Sequence, residues 1–265
     1  MSICPDEYIA GKSFANISKW VFCNRYKIFF ISENVEHGDI VFLNLDLFKH
    51  FLDHIRQHKP KNKFILITAN SDKSFTYQHY HLLKDFVIKI YAGNNIVEHD
   101  DVITTPMGFR DFPFETRLEL SHVNNINVDK SILIYMNFVI NTNVEKRKKC
   151  YTTFTNCSWV TQNSGLALKD FYVELKKSKY ALSPEGTGID CHRIYECMYY
   201  DTIPILKSSP MDNFYEKLPV IIVHEWEEIT EEFLLKNYDT YYNNLIQWKN
   251  ENKNWLHPYF WILHK

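Results

Sequence analysis

The apolar positions of this chain alternate between two rhythms. Short continuous apolar runs mark strands covered on both faces of a parallel sheet, and apolar residues recurring every three or four positions mark amphipathic helices. DIVFL at 39–43 and KFILIT at 63–68 are runs of the first kind. Between them Leu45, Phe48, Phe51, Leu52 and Ile55 share one side of a predicted helix over 46–57. The polar loop Ala69-Asn70-Ser71-Asp72 leads to a second helix around 76–84, and short strands are predicted at 86–91 and 101–104. Tyr26–Ile31 reads as a further buried segment.

Residues 112–130 show little periodicity and carry Pro113 and the polar Asn124, Asn125 and Asn127, so a domain boundary is placed there. The alternation then restarts, with a strand over 131–138, a helix over 143–151, a strand over 158–160 and a helix over 169–177. The apolar run Tyr180–Leu182 is stopped by Ser183-Pro184. Strands at 203–206 and 220–223, a long helix over 230–250 and an aromatic-rich segment at 255–263 complete the chain. Strand–helix alternation on both sides of a break predicts two α/β domains with parallel sheets. Their expected extents are 1–125 and 126–240, with 241–265 as a helical tail packing back on the first.

Composition narrows the function classes. Hydrophobic residues make up 45% and charged residues 23%, and the net charge is −2. There is no basic field to attract nucleic acid, so none is expected as a partner. No apolar run approaches the roughly 20 residues that span a bilayer. The segment MSICPDEYIAGKSF lacks the basic-then-apolar order of a signal peptide. The six cysteines are scattered without a CxxC pair, as in a cytoplasmic chain with reduced thiols. On that reading the sequons at Asn16 and Asn156 are discounted. His50, His54 and His58 recur on the polar side of the helix over 46–57. Two imidazoles on an exposed helix do not make a metal site, and a solvated face is the better account.

The candidate chemistry concentrates at 179–197, KYALSPEGTGIDCHRIYEC. The chain has only 7 glycines in 265 residues, and Gly186 and Gly188 both fall here. Glycine serves where the backbone needs φ > 0 or must approach something closely. A strand, a glycine loop and a helix point backbone N–H groups and a positive helix end at one spot, which suits a phosphate. Asp190 reads as the cap of that helix, with Ile194, Cys197 and Met198 as its apolar stripe. Arg193 in the first turn is placed to clamp a diphosphate. Glu196, one turn on, is placed to accept from a sugar diol, and an i,i+3 ion pair with Arg193 is the competing reading. The motif is neither GxGxxG nor a Walker loop.

LSPEGTGIDCHRIYECMYYDTIPIL, followed by LPVIIVHEWEEIT, resembles the C-terminal signature of exostosin-like glycosyltransferases. That pattern is an apolar strand, Ser-Pro-x-Gly, an Arg with a Glu three residues on, and a strand with Ile-Pro. The upstream pieces resemble the compact viral and microbial branch in the same order. They are Asn70-Ser71-Asp72, then the Pro-x-Gly turn at Pro106–Gly108, then Asn137-Phe138 with Asn141–Asn143 and Arg147.

The resemblance implies an α/β, GT-B-like fold of two facing Rossmann-like domains with a central cleft. It implies a glycosyltransferase that inverts the anomeric carbon and moves a sugar from a UDP-sugar to a glycan hydroxyl. UDP-xylose is the first expectation for the donor, and no cofactor or metal is required. The expected setting is the cytoplasm, of a host cell for a viral chain. Donor-side residues are Arg193, Glu196, Arg147, Ser183, Gly186, Thr187, Gly188 and Asp190, with Glu185 near the donor sugar. Arg147 competes with a solvated basic run, and the loop residues with a plain β–α turn. Asp72 is the expected base, because a carboxylate in a partly dry cleft can be tuned for proton abstraction. A cap for the helix after it is the equal alternative. Asn70, Ser71, Arg110, Asp111 and His79 complete the acceptor side, with Asp111 and His79 as substitute bases. A non-catalytic nucleotide- or carbohydrate-binding module on the same fold stays open.

Overall fold

A computed structural model describes residues 7–25, 29–111 and 115–263. Pro113 and the start of the Tyr26–Ile31 segment lie outside the described residues. The chain forms two compact units. One comprises the residues up to Gly108 together with the segment from Asn254, and the other is Phe109–Lys253.

The first unit runs α1 (Gly11–Asn16), β1 (Trp20–Phe22), β2 (Ile40–Asn44), α2 (Phe48–Gln57), β3 (Phe64–Ala69), α3 (Tyr77–Leu83), β4 (Val87–Ala92) and β5 (Val102–Thr104). The five strands are parallel and lie in sequence order. Alternate strand residues point to opposite faces. Val41, Leu43, Phe64, Leu66, Ile90 and Ala92 share one core with Phe51, Leu52 and Ile55 of α2 and with Tyr80 and Leu83 of α3. A sheet that grows in one direction through right-handed crossovers keeps its crossover helices on a single face. The other face carries Phe42, Ile67 and Tyr91, all buried, and the two ends of the unit cover it. Helix α1 packs on β3. The Ile9 amide donates to the Leu256 carbonyl at 2.7 Å. The Tyr91 hydroxyl donates to the Ile262 carbonyl, also at 2.7 Å, in the helix Pro258–Leu263.

Gly108 ends this unit in the left-handed region, with φ +70°, and a Cβ there would lie 2.1 Å from the Ile9 carbonyl oxygen. Backbone strain and overlap with a fixed carbonyl act together. Gly108→Ala is expected to cost at least about 2 kcal/mol of stability, read by urea unfolding.

The second unit runs α4 (Glu115–Asn124), β6 (Ile132–Met136), α5 (Val144–Phe154), β7 (Val160–Gln162), α6 (Leu168–Lys177), β8 (Ser178–Leu182), α7 (His192–Tyr199), β9 (Ile203–Lys207), α8 (Asp212–Tyr215), β10 (Ile221–Val223) and α9 (Glu231–Glu251). Its parallel sheet has the order β10-β9-β8-β6-β7. From β6 the chain steps outward to β7 and then returns to place β8 on the other flank of β6. The strand order therefore reverses between β6 and β8, the position where open α/β sheets bind ligands.

Two sequence expectations need correction. The aperiodic stretch 112–130 contains α4, which packs on α6. Its buried positions are Thr116, Arg117, Leu120 and Val123. They have helical spacing, but two of the four are polar, which hides the apolar rhythm. A strand also occurs at Trp20–Phe22. Of the predicted segment nearby, Phe29 only bridges antiparallel to Val21 and is exposed, while Phe30 is buried.

Candidate active site

The loops after β6 and β8 meet at the switch point, and their own side chains tie them together. Asn143 caps α5 by accepting from the Lys146 amide at 3.2 Å, and its Nδ2 donates to the Gly186 carbonyl at 2.8 Å. Arg147 Nε donates to the Glu185 carbonyl and Nη1 to the Val139 carbonyl, both at 2.9 Å. One guanidinium thus braces both loops. It lies 5.7 Å from the centroid of Phe138. A Cβ on Gly186 would come within 3.1 Å of Arg147 Nη2. The glycine leaves the guanidinium room to approach, and its φ is not left-handed. Burial lowers the Arg147 pKa, and the charge of Arg193 adds to that. The two arginines therefore put positive charge into the same region. Glu185 is half-buried, and burial first, then Asp212 and Glu145, push its carboxyl up.

Arg193 lies in the first turn of α7, over the face of Phe171 at 4.6 Å. Its Nε is 3.5 Å from Glu196 Oε2, and their side chains are 14% and 1% exposed. Glu196 Oε1 accepts from the Tyr172 hydroxyl at 3.2 Å and stands 3.9 Å from Arg110 Nε. Of the two readings of Glu196, the structure displays the i,i+3 pair with Arg193, and in this conformation the Glu196 carboxylate is enclosed. Arg193 Nε and Nη1 and Glu196 Oε2 are buried without a hydrogen-bond partner.

Other predicted residues take different positions. The cap of α7 is Cys191, not Asp190. Asp190 is buried, accepting from the Tyr195 hydroxyl at 2.6 Å, the Tyr215 hydroxyl at 3.1 Å and the Cys191 amide at 3.0 Å. Burial, reinforced by that carboxylate, pushes both tyrosines up. Ser183 is buried, and its amide extends the sheet by donating to the Ile205 carbonyl. Thr187 is exposed and Gly188 buried. Arg110 and Asp111 fall in the second unit rather than with the acceptor half. Arg110 stands beside Glu196, and Asp111 is buried.

In the first unit Asn70 has φ 59°, and its side chain occupies the space that a Cβ on Gly11 would need. The Ser71 hydroxyl donates to Asp46 Oδ1 at 2.9 Å and accepts from the Lys73 amide. Asp72 is exposed at the loop tip rather than partly dry. Nor does it cap the next helix, which begins after Thr76. His79 Nδ1 accepts from the Thr76 amide at 3.0 Å. Burial, and secondarily Lys73, lower its pKa. His54 and His58 turn to Ser32 and Glu33. Among the described residues no His, Cys, Asp and Glu side chains group in a way that could hold a metal ion. No described helix is long and apolar enough to cross a membrane.

Sequence reasoning missed Phe171 and Tyr172, which fall in the predicted helix over 169–177 and were given no role there. It also missed that Arg110 lies beside Glu196, since 86 positions separate them and nothing in the spacing links them.

Two parallel-sheet α/β units, the second with an arginine-lined loop at its switch point, have the build of a GT-B-like glycosyltransferase. The family described as RXYLT1 C-terminal domain matches residues 122–263, more than half of the chain. The chain belongs to this family, which bears out the exostosin-like resemblance. No curated protein matches significantly. Among solved structures, an α1,3-fucosyltransferase with GDP-fucose is similar at 12% identity over 88% of this chain and 86% of its own, with a TM-score of 0.43. The UDP-GlcNAc 2-epimerase of Methanocaldococcus jannaschii is similar at 9% identity over 79% of this chain and 86% of its own (TM-score 0.34). The pneumococcal O-GlcNAc transferase GtfA, in complex with UDP and GlcNAc, is similar at 9% identity over 86% of this chain and 54% of its own (TM-score 0.36).

Proposed function

We propose that this glycosyltransferase is a cytoplasmic, inverting enzyme that moves a sugar, first of all xylose, from a UDP-sugar to a glycan hydroxyl. The observation that carries the reading is Arg193, whose buried Nε and Nη1 lack hydrogen-bond partners beside a loop braced by Arg147. Unspent charged donors next to a glycine loop are a receptor for a diphosphate. In the reaction the acceptor oxygen attacks the anomeric carbon from the face opposite the nucleotide. The bond from that carbon to the phosphate oxygen breaks, and UDP leaves with the electron pair. Arg193 and Arg147 meet the charge that develops on it, in place of a metal. Ser183, Gly186, Thr187 and Gly188 frame the phosphates. Glu196 serves the donor through Arg193, and reaches the ribose only if its carboxylate turns outward. Asp72 takes the acceptor proton, on the loop with Asn70 and Ser71, with His79 and Asp111 as substitutes. Glu185, with its raised pKa, is the polar contact for the donor sugar.

Thermal shift with a panel of nucleotide sugars tests the donor, because a ligand stabilises the state that binds it. UDP-sugars should raise the melting temperature, UDP-xylose most, and a preference for GDP-sugars would overturn the assignment. Asp72→Asn should cut transfer by about a hundredfold or more while leaving UDP affinity unchanged. If transfer persists, the base lies elsewhere. The competing reading, a binding module without catalysis, predicts UDP binding and neither transfer nor donor hydrolysis in a sugar-acceptor screen.

A further inference from the structure

This inference rests on the donor-site reading above. A buried arginine beside a carboxylate ordinarily closes into a two-bond fork at about 2.8 Å. Arg193 and Glu196 have not closed. Their nearest approach is 3.5 Å, and Arg193 Nε and Nη1 and Glu196 Oε2 all remain buried without a hydrogen-bond partner. Unmade hydrogen bonds to charged groups cost free energy, so something must hold the pair apart. Phe171 lies against the guanidinium at 4.6 Å. Its ring is in turn stacked on Tyr135, with centroids 6.2 Å apart and planes at 28°. The next residue, Tyr172, holds the other oxygen of Glu196 at 3.2 Å. Consecutive residues of α6 thus grip both members of the pair.

We propose that Phe171 is a positioning residue for diphosphate binding, its ring holding Arg193 off Glu196 so that the guanidinium donors stay unspent until an anion arrives. A ring face attracts a guanidinium through its quadrupole and uses none of its N–H groups. A hydrogen-bonding neighbour would fix Arg193 equally well but consume the donors the ligand needs. Without the ring, the shortest route to satisfaction is closure onto Glu196, and the closed pair competes with the nucleotide.

The test is calorimetry of UDP with the full chain carrying Phe171→Leu or Phe171→Tyr, beside the parent. Leucine keeps the apolar bulk and removes the π face, and tyrosine keeps both. The expected result is about tenfold weaker UDP binding for the leucine variant, near-parental binding for the tyrosine variant, and matching urea unfolding for all three. A crystal structure of Phe171→Leu should show Arg193 closed on Glu196 at hydrogen-bond distance. Equal UDP affinity of the leucine variant and the parent overturns the proposal, and so does a crystal structure in which the pair stays open. A parent chain that fails to bind UDP overturns the donor-site reading instead. The crystal structure of the leucine variant then still decides what holds the pair apart.

Discussion

Arg193→Ala is expected to bind UDP about a hundredfold more weakly than the parent chain in isothermal titration calorimetry. The size follows from what the substitution removes. A guanidinium can give a diphosphate two parallel charge-assisted hydrogen bonds, and few of its donors are otherwise engaged here. Nε and Nη1 have no hydrogen-bond partner, whereas Arg147 spends its Nε and Nη1 on the Glu185 and Val139 carbonyls. Arg147 should therefore compensate little. Arg193→Lys keeps the charge and loses the planar fork, so its affinity should fall between the two. The alanine variant also leaves the buried Glu196 with only the Tyr172 hydroxyl and the more distant Arg110. Some loss of stability accompanies it, and the titration belongs well below the unfolding temperature. Unchanged UDP affinity in a folded Arg193→Ala chain would falsify the donor-site assignment.

The largest stability effect is expected at Lys130, outside the candidate site. Its ammonium donates to the Ser178 carbonyl at 2.8 Å, the Tyr200 carbonyl at 2.9 Å and the Thr202 hydroxyl at 2.9 Å. While protonated it ties the start of β8 to the turn between α7 and β9 with all three of its donors, and the neutral amine keeps two. Lys130→Met keeps the length and takes a charged donor from three buried acceptors, of which the Ser178 carbonyl keeps the Thr202 hydroxyl at 3.0 Å, at a cost of about 3 kcal/mol in urea unfolding. Burial also pushes the Lys130 pKa down from 10.5 to about 7. Between those values the unfolded chain holds a proton that the folded chain has released, so stability from this group rises with pH from about 7 to about 10. It is lost as pH falls through 7. The parent should show that slope, and the methionine variant should not. Identical pH dependence in the two would show that Lys130 stays charged throughout.

Where one residue type did one job, the sequence was easy to read. KFILIT became β3 because a parallel strand covered on both faces must be apolar throughout, and the spacing of Phe51, Leu52 and Ile55 became the buried face of α2. The glycine loop with Arg193 was legible for the same reason, since scarce glycines stand out. Helix α4 was not, because Thr116 and Arg117 occupy its buried face. Asp190 looked like a cap on local grounds, but its partners, Tyr195 and Tyr215, come from α7 and α8. Arg110 was read as an acceptor-side residue rather than as a neighbour of Glu196, and Phe171 was given no role at all. Their contacts with Glu196 and Arg193 are made by packing between elements distant in sequence, which no local spacing records.

The first sheet grows in one direction, and its second face is closed by α1 and the segment from Asn254. This has a consequence for synthesis on the ribosome. Residues up to Gly108 emerge with Phe42, Ile67 and Tyr91 still lacking part of their cover, and the whole of Phe109–Lys253 must follow before Ile262 arrives. At roughly 5–20 residues per second that interval is on the order of ten seconds. The second unit is one uninterrupted piece of chain and can complete its sheet during the wait. The unit that begins first is thus the one that finishes last, and a nascent chain halted before Trp255 would leave an apolar sheet face open to chaperones or to aggregation.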